Sequence, residues 1–387
     1  MSRNDWPQGY GSLVTSLSVG QILAWAALYY GFSSFVLPMM AETGWSKPLV
    51  MGANTLGLAV WGLTTYAAGA AVDRGHAQLL MSAGCAVGAP GFALWAAATA
   101  PWMLYAAWVL LGAASAATLY EPAFNVITRQ YPTRYRQGIT AVTLVGGFAS
   151  TLSFPAVAGL IQGLGWRGAL WCLAGLMAVL MVPLHLWALR AVSHVVVSHP
   201  TDPEDDATLK QALRLPTFWL LTLAFTLYSI VMAGFWAHVM PLFAGKGLTA
   251  AQTLAIVIWV GPAQVLGRFV FALRGVGVSL RRMGIAVMAA IPLAMALMAF
   301  STSILALTAW VCLYGVANGL VTIVRGGLVP EYFGRAHIGR IGGAMSGIGL
   351  VARAIGPLAI AWWLLWVPGY DGALLALAGV GILSVLS

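Results

Sequence analysis

Apolar runs of about 20 residues or more follow one another along this chain from residue 11 to residue 387, and nearly all charged residues fall between them. A helix needs a run of that length to cross a bilayer, and soluble domains do not carry such runs in series. Hydrophobic residues make up 60% of the 387 positions and charged ones 7%, too few to cover a soluble surface. Inside lipid every backbone N–H and C=O must be paired within the protein, and runs this long do so only as helices. An all-α, multi-pass membrane protein is expected.

The runs divide into twelve spans, at 11–40, 47–71, 77–99, 102–129, 137–163, 166–190, 216–243, 250–273, 283–301, 303–328, 338–366 and 370–387. Alternate loops differ in charge. One set carries Arg3, Arg74, Arg129, Arg134, Arg136, Arg190, Lys210, Arg214, Arg274, Arg281, Arg282, Arg335 and Arg340, and the other only Lys47, Arg167 and Lys246. Cytoplasmic loops hold the excess of cations, so both termini are expected in the cytoplasm. The one long polar segment, 193–215, contains Pro200, Pro203 and an acidic run that cannot be a buried helix. It separates an N-terminal set of six spans, 1–192, from a C-terminal set, 216–387. The sets resemble each other at a shift of about 200 residues, with Tyr131, Arg134 and Gly138 answering to Tyr332, Arg335 and Gly339, and Arg74–Gly75 to Arg274–Gly275. Two pseudo-symmetric six-helix bundles joined by a cytoplasmic linker are the architecture of an alternating-access carrier.

The net charge of +9 belongs to these loops and does not indicate nucleic acid. Cys85, Cys172 and Cys312 lie inside apolar runs without metal-type spacing, and read as small packing residues. The N-terminal stretch lacks the pattern of a cleaved signal peptide, so the first helix is expected to be retained. No cofactor, metal or catalytic residue is expected, and no nucleotide motif is present, which points to secondary transport. The chain is read as a monomer among membrane lipids, in a bacterial inner membrane.

At the end of the second span, Gly69, Asp73, Arg74 and Gly75 form an imperfect version of the G-x-x-x-D-R/K-x-G loop, and over its whole length the chain resembles the major facilitator superfamily. The second glycine comes one residue early and the trailing basic pair is missing. The resemblance implies that Asp73 and Arg74 lock a cytoplasmic gate by pairing across helix ends; a carboxylate capping a helix terminus is the alternative. Gly44, Trp45, Ser46 and Lys47 resemble the GWSR of the monocarboxylate and oxalate–formate branch, and Gly267–Arg268 its carboxylate-binding arginine. In that comparison Arg353 lies where the oxalate carrier type has a second cation. The drug-antiporter pattern GxxxGPxxGG is absent from the fifth span, which reads GGFASTLSFPAVAGL from Gly146.

Only Glu121, Arg268, Arg325 and Arg353 lie well within spans, in the fourth, eighth, tenth and eleventh. The resemblance implies that spans 3, 6, 9 and 12 face lipid, and none of the four falls there, as the cost of lipid-facing charge requires. Arg353 is thirteen residues beyond Arg340, about 20 Å into a core of about 30 Å. Arg268 is six residues from Arg274, about 9 Å deep. A guanidinium stays charged and gives two parallel hydrogen bonds to a carboxylate, so Arg353 and Arg268 are candidates to bind a small mono- or dicarboxylate. For each the alternative is an ion pair or a carbonyl contact tying helices together. Arg325, nearer the cytoplasmic end, is grouped with Asp73 and Arg74 at the gate.

Glu121, followed by Pro122, is a candidate proton carrier, or else a structural partner of an arginine. His238 is a second proton-coupling candidate or a polar packing residue. Tyr29, Tyr30, Asn54, Tyr228, Trp236 and Asn318 are candidates for the rest of a substrate pocket, although Tyr and Trp also mark membrane interfaces. Glycines 339, 342, 343, 347 and 349 suit close helix approach. The expected activity is alternating-access transport of a small organic anion, coupled to protons. The rival is export of neutral or cationic compounds with structural arginines.

Overall fold

The computed structural model describes residues 9–190, 206–274, 277–353, 355–367 and 369–386. Arg3, Gly275 and residues 193–205 of the polar segment lie outside them. Local chemistry sets many helix ends. Pro48, Pro101 and Pro216 occupy first turns, where no N–H is needed and a fixed φ suits the helix. At residue 250 a capping box opens the helix: the Thr249 hydroxyl accepts from the Gln252 N–H at 3.2 Å and Gln252 accepts from the Thr249 N–H at 2.9 Å.

The helices are α1 (Tyr10–Thr43), α2 (Lys47–Asp73), α3 (Ala77–Ala96) and α4 (Pro101–Gln130), then a helical run Tyr135–Ala188. That run of 54 residues would reach about 80 Å if straight, far more than a bilayer core. Gly165, at φ +70° and ψ 169°, turns the chain there, a conformation open to a residue without Cβ. It yields α5 (135–164) and α6 (166–188). There follow α7 (Pro216–Gly245), α8 (250–274), α9 (Leu280–Phe300), α10 (Ile304–Phe333), α11 (Ile338–Trp366) and α12 (Tyr370–Leu386). Ten helices among the described residues are long and apolar enough to cross a membrane, and division at Gly165 together with α12 brings them to the expected twelve. No strand occurs among the described residues.

Six spans that read as continuous are interrupted among the described residues: α5 breaks at Gly147–Phe148, α6 carries a π-turn at Leu176–Met181, α8 breaks at Ile258–Trp259, and three others follow. α1 carries a π-turn at Ala26–Tyr30, α4 breaks at Leu119, and α11 breaks at Arg353, between Ile338–Ala352 and Ile355–Trp366. The break in α4 follows from Pro122. In a continuous helix the Thr118 carbonyl would accept from the N–H four residues on, and proline has none. Leu119 is extended instead, with ψ −162°, and the buried Gln21 of α1 donates to the Thr118 carbonyl at 2.7 Å. Pro122 then falls in the first turn of the resumed helix, where it costs nothing.

The chain forms two compact units, Met1–Leu209 with Phe333–Gly347, and Lys210–Tyr332 with Ile348–Ser387. In the first, α3 packs along α4, α4 along α2, and Tyr10, Leu17, Met81, Phe124, Ile127 and Ile139 share one core. In the second, α12 packs on α9 and α7 around buried Phe235, Met295, Met298 and Leu374. Large side chains such as Leu37, Leu63, Val179, Leu305 and Leu365 are exposed, as a lipid-facing surface allows. Each unit also braces three helix ends with one cation. Arg167 of α6 pairs with Glu42 of α1 at 2.8 Å and donates to the Ala98 carbonyl beyond α3 at 3.0 Å. Lys246, just beyond α7, pairs with Asp371 of α12 at 2.6 Å and donates to the Ala299 carbonyl of α9 at 2.9 Å. Equivalent helices meet in both braces with the charges exchanged, which fits a repeat that diverged in sequence and kept its packing.

Candidate functional site

In the second unit Arg268 is 4% exposed, and its Nε donates to the Gly319 carbonyl at 3.0 Å. Gly319 packs so closely on the Gln264 backbone that a Cβ there would overlap it. The neighbouring Asn318 accepts a hydrogen bond from the Tyr228 hydroxyl. Adjacent residues of α10 thus tie it to α8 on one side and α7 on the other. Trp236 stands farther along α7, partly exposed, with its ring against Phe235 and Tyr314. The Arg325 guanidinium lies 5.9 Å from the centre of the Phe225 ring.

Arg353 differs from both. It sits where the first stretch of α11 ends, half-buried, its N–H bonded to the Gly349 carbonyl at 3.1 Å. Among the described residues its guanidinium meets no carboxylate and makes no hydrogen bond, although a cation at such depth calls for an anion or several acceptors. His238 is satisfied on both ring nitrogens: Nε2 lies 3.1 Å from the Pro357 carbonyl and Nδ1 3.3 Å from the Tyr370 hydroxyl. In these contacts Nε2 donates to the carbonyl, and the pair ties α7 to α11 and α12.

In the first unit Tyr29 and Tyr30 belong to a cluster of rings that also contains Trp25 of α1, Trp61 of α2 and Tyr120 of α4. Trp25 is its centre, with ring centroids 5.2 Å from Tyr29, 6.2 Å from Tyr30, 5.9 Å from Trp61 and 4.9 Å from Tyr120. Trp25, Trp61 and Tyr120 carried no sequence signal beyond that of ordinary membrane aromatics. Asn54 is half-buried on α2, two turns from Trp61. Glu121 is half-buried in the first turn of the resumed half of α4.

The charged loops of this unit converge on residues 333–340. The Asp73 side chain, 2% exposed, accepts from the N–H groups of Gly339 and Arg340, both at 2.9 Å, at the start of α11. These are helix N-terminal donors with no partner inside the helix. The cation beside Asp73 is Arg129, at 3.3 Å, which also reaches the Ala336 carbonyl at 3.2 Å. Arg74, which sequence reasoning coupled to Asp73, is exposed. Asp206, from the polar segment, was missed altogether: its carboxylate accepts from the N–H groups of Arg335 at 3.1 Å and Ala336 at 2.9 Å. Gly334, at φ +77°, turns the chain against it.

The sequence profile of the Major Facilitator Superfamily matches residues 17–357. The fold is similar to that of the human organic anion transporter MFSD10 (TETRAN), with a TM-score of 0.76 and 17% identity over 98% of this chain and 99% of that one. It is also similar to the E. coli fucose:proton symporter FucP, with a TM-score of 0.73 and 15% identity over 98% of each chain. A structure of FucP in the outward conformation gives a TM-score of 0.75 at 13% identity over 98% of each chain. No curated protein sequence matches this one.

Proposed function

We propose that this chain, which belongs to the Major Facilitator Superfamily and is a transporter, moves a small organic anion of the mono- or dicarboxylate type across the cytoplasmic membrane by alternating access. The observation that carries the reading is Arg353. Its guanidinium is always charged, it stands at a helix break deep in a span, and no carboxylate answers it among the described residues. A carboxylate arriving there forms two charge-assisted hydrogen bonds and offsets the cost of keeping the cation in place. Arg268, with its Nε on the Gly319 carbonyl, is better suited to holding α8 against α10 beside the anion's path. Tyr228, Trp236 and Asn318 complete the polar lining of that unit, and Tyr29, Tyr30 and Asn54 that of the other.

Glu121 is the proposed proton carrier. It sits in a helix whose interruption leaves backbone N–H groups at hand for its carboxylate. Asp73 acts at the gate with Arg129, while Arg74 and Arg325 supply further positive charge. The organic anion and proton named for the two similar structures agree with this reading. So does the likeness of Gly44–Lys47 and Gly267–Arg268 to the monocarboxylate and oxalate–formate branch. Both termini are assigned to the cytoplasm.

Uptake into proteoliposomes tests it, with labelled mono- and dicarboxylates, with and without an inward proton gradient. Arg353→Gln, shown to be folded, should weaken saturable uptake of the transported acid by about tenfold to a hundredfold. If no acid moves, or the variant moves it as well as the parent, Arg353 is structural and export of neutral or cationic compounds becomes the better reading.

A further inference from the structure

We infer that the second unit holds one anionic phospholipid at its loop end, with an acyl chain between α7, α9, α10 and α12 and the phosphate on Arg281. The site lies in this unit alone and does not depend on which solute is carried. Those four helices line a cavity of about 400 Å³. Its mouth lies where α7 and α9 begin and α10 ends, marked by Thr217, Arg281 and Tyr332. Its floor is buried and apolar: Phe225, Met288 and Val324 lie about two turns farther in, roughly 11 Å along their helices. Leu220 and Ile285, which also line it, are exposed, as an opening toward lipid allows.

The repeat supplies an internal comparison. α1, α3, α4 and α6 answer to these four helices, and the same end of the first unit is closed by Tyr10, Met81, Tyr131 and Leu189, all buried in one core. The rings of Tyr10 and Tyr131 meet edge to face at 4.9 Å. Tyr332, which answers to Tyr131 in the sequence repeat, is instead 41% exposed at the mouth of the cavity. Protein interiors are close-packed, and a space of this size among apolar side chains is costly unless something apolar fills it.

The rim selects the head group. Arg281 and Arg282 are exposed in the first turn of α9, where no acidic residue stands, and Arg281 pairs with no carboxylate among the described residues. The positive end of a helix disfavours cations, so two arginines there gain from an anion. The hydroxyls of Thr217 and Tyr332 are further donors on the same rim. A guanidinium takes a phosphate through two parallel hydrogen bonds, and basic pockets between membrane helices suit anionic head groups. A small hydrophilic anion would leave the apolar floor without contact, and a cationic amphiphile meets Arg281 first. An anion with a long apolar chain answers both ends, and a membrane supplies it as phospholipid.

Native mass spectrometry of the purified full-length protein decides it, by titration in detergent with dioleoyl phosphatidylglycerol, its dioctanoyl form, dioleoyl phosphatidylcholine, oleate and glycerol phosphate. Dioleoyl phosphatidylglycerol should bind first as a single copy, about tenfold tighter than the dioctanoyl form or phosphatidylcholine, whose choline brings a cation to Arg281. Arg281→Gln should weaken that copy about tenfold, whereas Arg282→Gln, outside the lining, should weaken it by no more than about threefold. Leu221→Trp, which fills the cavity, should remove the tight copy and leave only weaker ones. Equal binding of the two dioleoyl lipids, equal losses in the two arginine variants, or a tight copy that survives Leu221→Trp overturns the inference, as does the lack of any tight copy. Glycerol phosphate binding as tightly would mark an ion site without a chain, and oleate binding more tightly would mark a fatty-acid site; either also overturns it. Should Leu221→Trp not fold, the arginine variants and the two chain lengths still decide.

Discussion

Two arginines of the same kind, Arg268 and Arg353, end in different roles because of what lies within reach of the guanidinium. Arg268 is buried against a backbone carbonyl that α10 exposes at a glycine, so removing it takes away the side-chain donor of that carbonyl. Arg268→Met should lower thermal stability by about 1–3 kcal/mol, measured by the midpoint of thermal unfolding in detergent. Arg353→Gln should leave that midpoint nearly unchanged while anion uptake falls; equal loss of stability in the two variants contradicts the distinction. Gln21 gives a second residue-scale test. Its amide serves the Thr118 carbonyl only because Pro122 cannot. Gln21→Leu should cost about 1–3 kcal/mol, and Pro122→Ala, by restoring the missing N–H, should shrink that cost in the double variant. Additive losses would show that the two residues do not compensate each other.

At the level of elements, α2 and the first half of α11 approach through small residues. Gly339, Gly343 and Gly347 recur every fourth position and meet Gly69, Thr65 and Gly62, and a Cβ on Gly69 would overlap the Gly339 backbone. In lipid such contacts depend on close packing and not on exclusion of water. Gly343→Leu should therefore separate the two helices and destabilise the protein by about 1–3 kcal/mol or more, whereas Gly163→Leu, which meets open space, should not. Asp73 closes the end of the same contact through two N–H groups at the start of α11. Asp73→Asn keeps one acceptor and loses the charge, so transport rate should change with substrate affinity nearly constant. A shift of affinity alone, read from initial rates against concentration, would assign Asp73 to the substrate and not to a gate.

For the molecule as a whole, the charge-poor runs fix how many times the chain crosses, and the loop cations are expected to fix which way round. α3 separates the exposed His76 from the exposed Thr99. In a variant without the native cysteines, His76→Cys should react with a membrane-impermeant thiol reagent only when the cytoplasmic face is open, and Thr99→Cys only from the opposite face. The reverse pattern would invert the assigned orientation. The two braces around Arg167 and Lys246 express the repeat at this scale. Their charges are exchanged, so a search for identical residues at a fixed shift passes over them, although each joins equivalent helix ends.

Hydrophobicity and length are local properties, and through them the sequence by itself determined an all-helical, twelve-span membrane fold, its approximate boundaries, the placing of four charges within spans and the likeness to a transporter family. Pro122 even marked where α4 is weak. What only the tertiary structure decided is who answers whom. Asp73 takes its hydrogen bonds from backbone N–H groups 266 and 267 residues away, and every non-proline residue has such a group, so no side-chain pattern announces them. The same holds for the Gly319 carbonyl under Arg268 and for the N–H groups that Asp206 holds. The ring cluster escaped for a related reason: membrane spans are full of Trp and Tyr, and only packing distinguishes the five that touch around Trp25 from those that simply meet lipid.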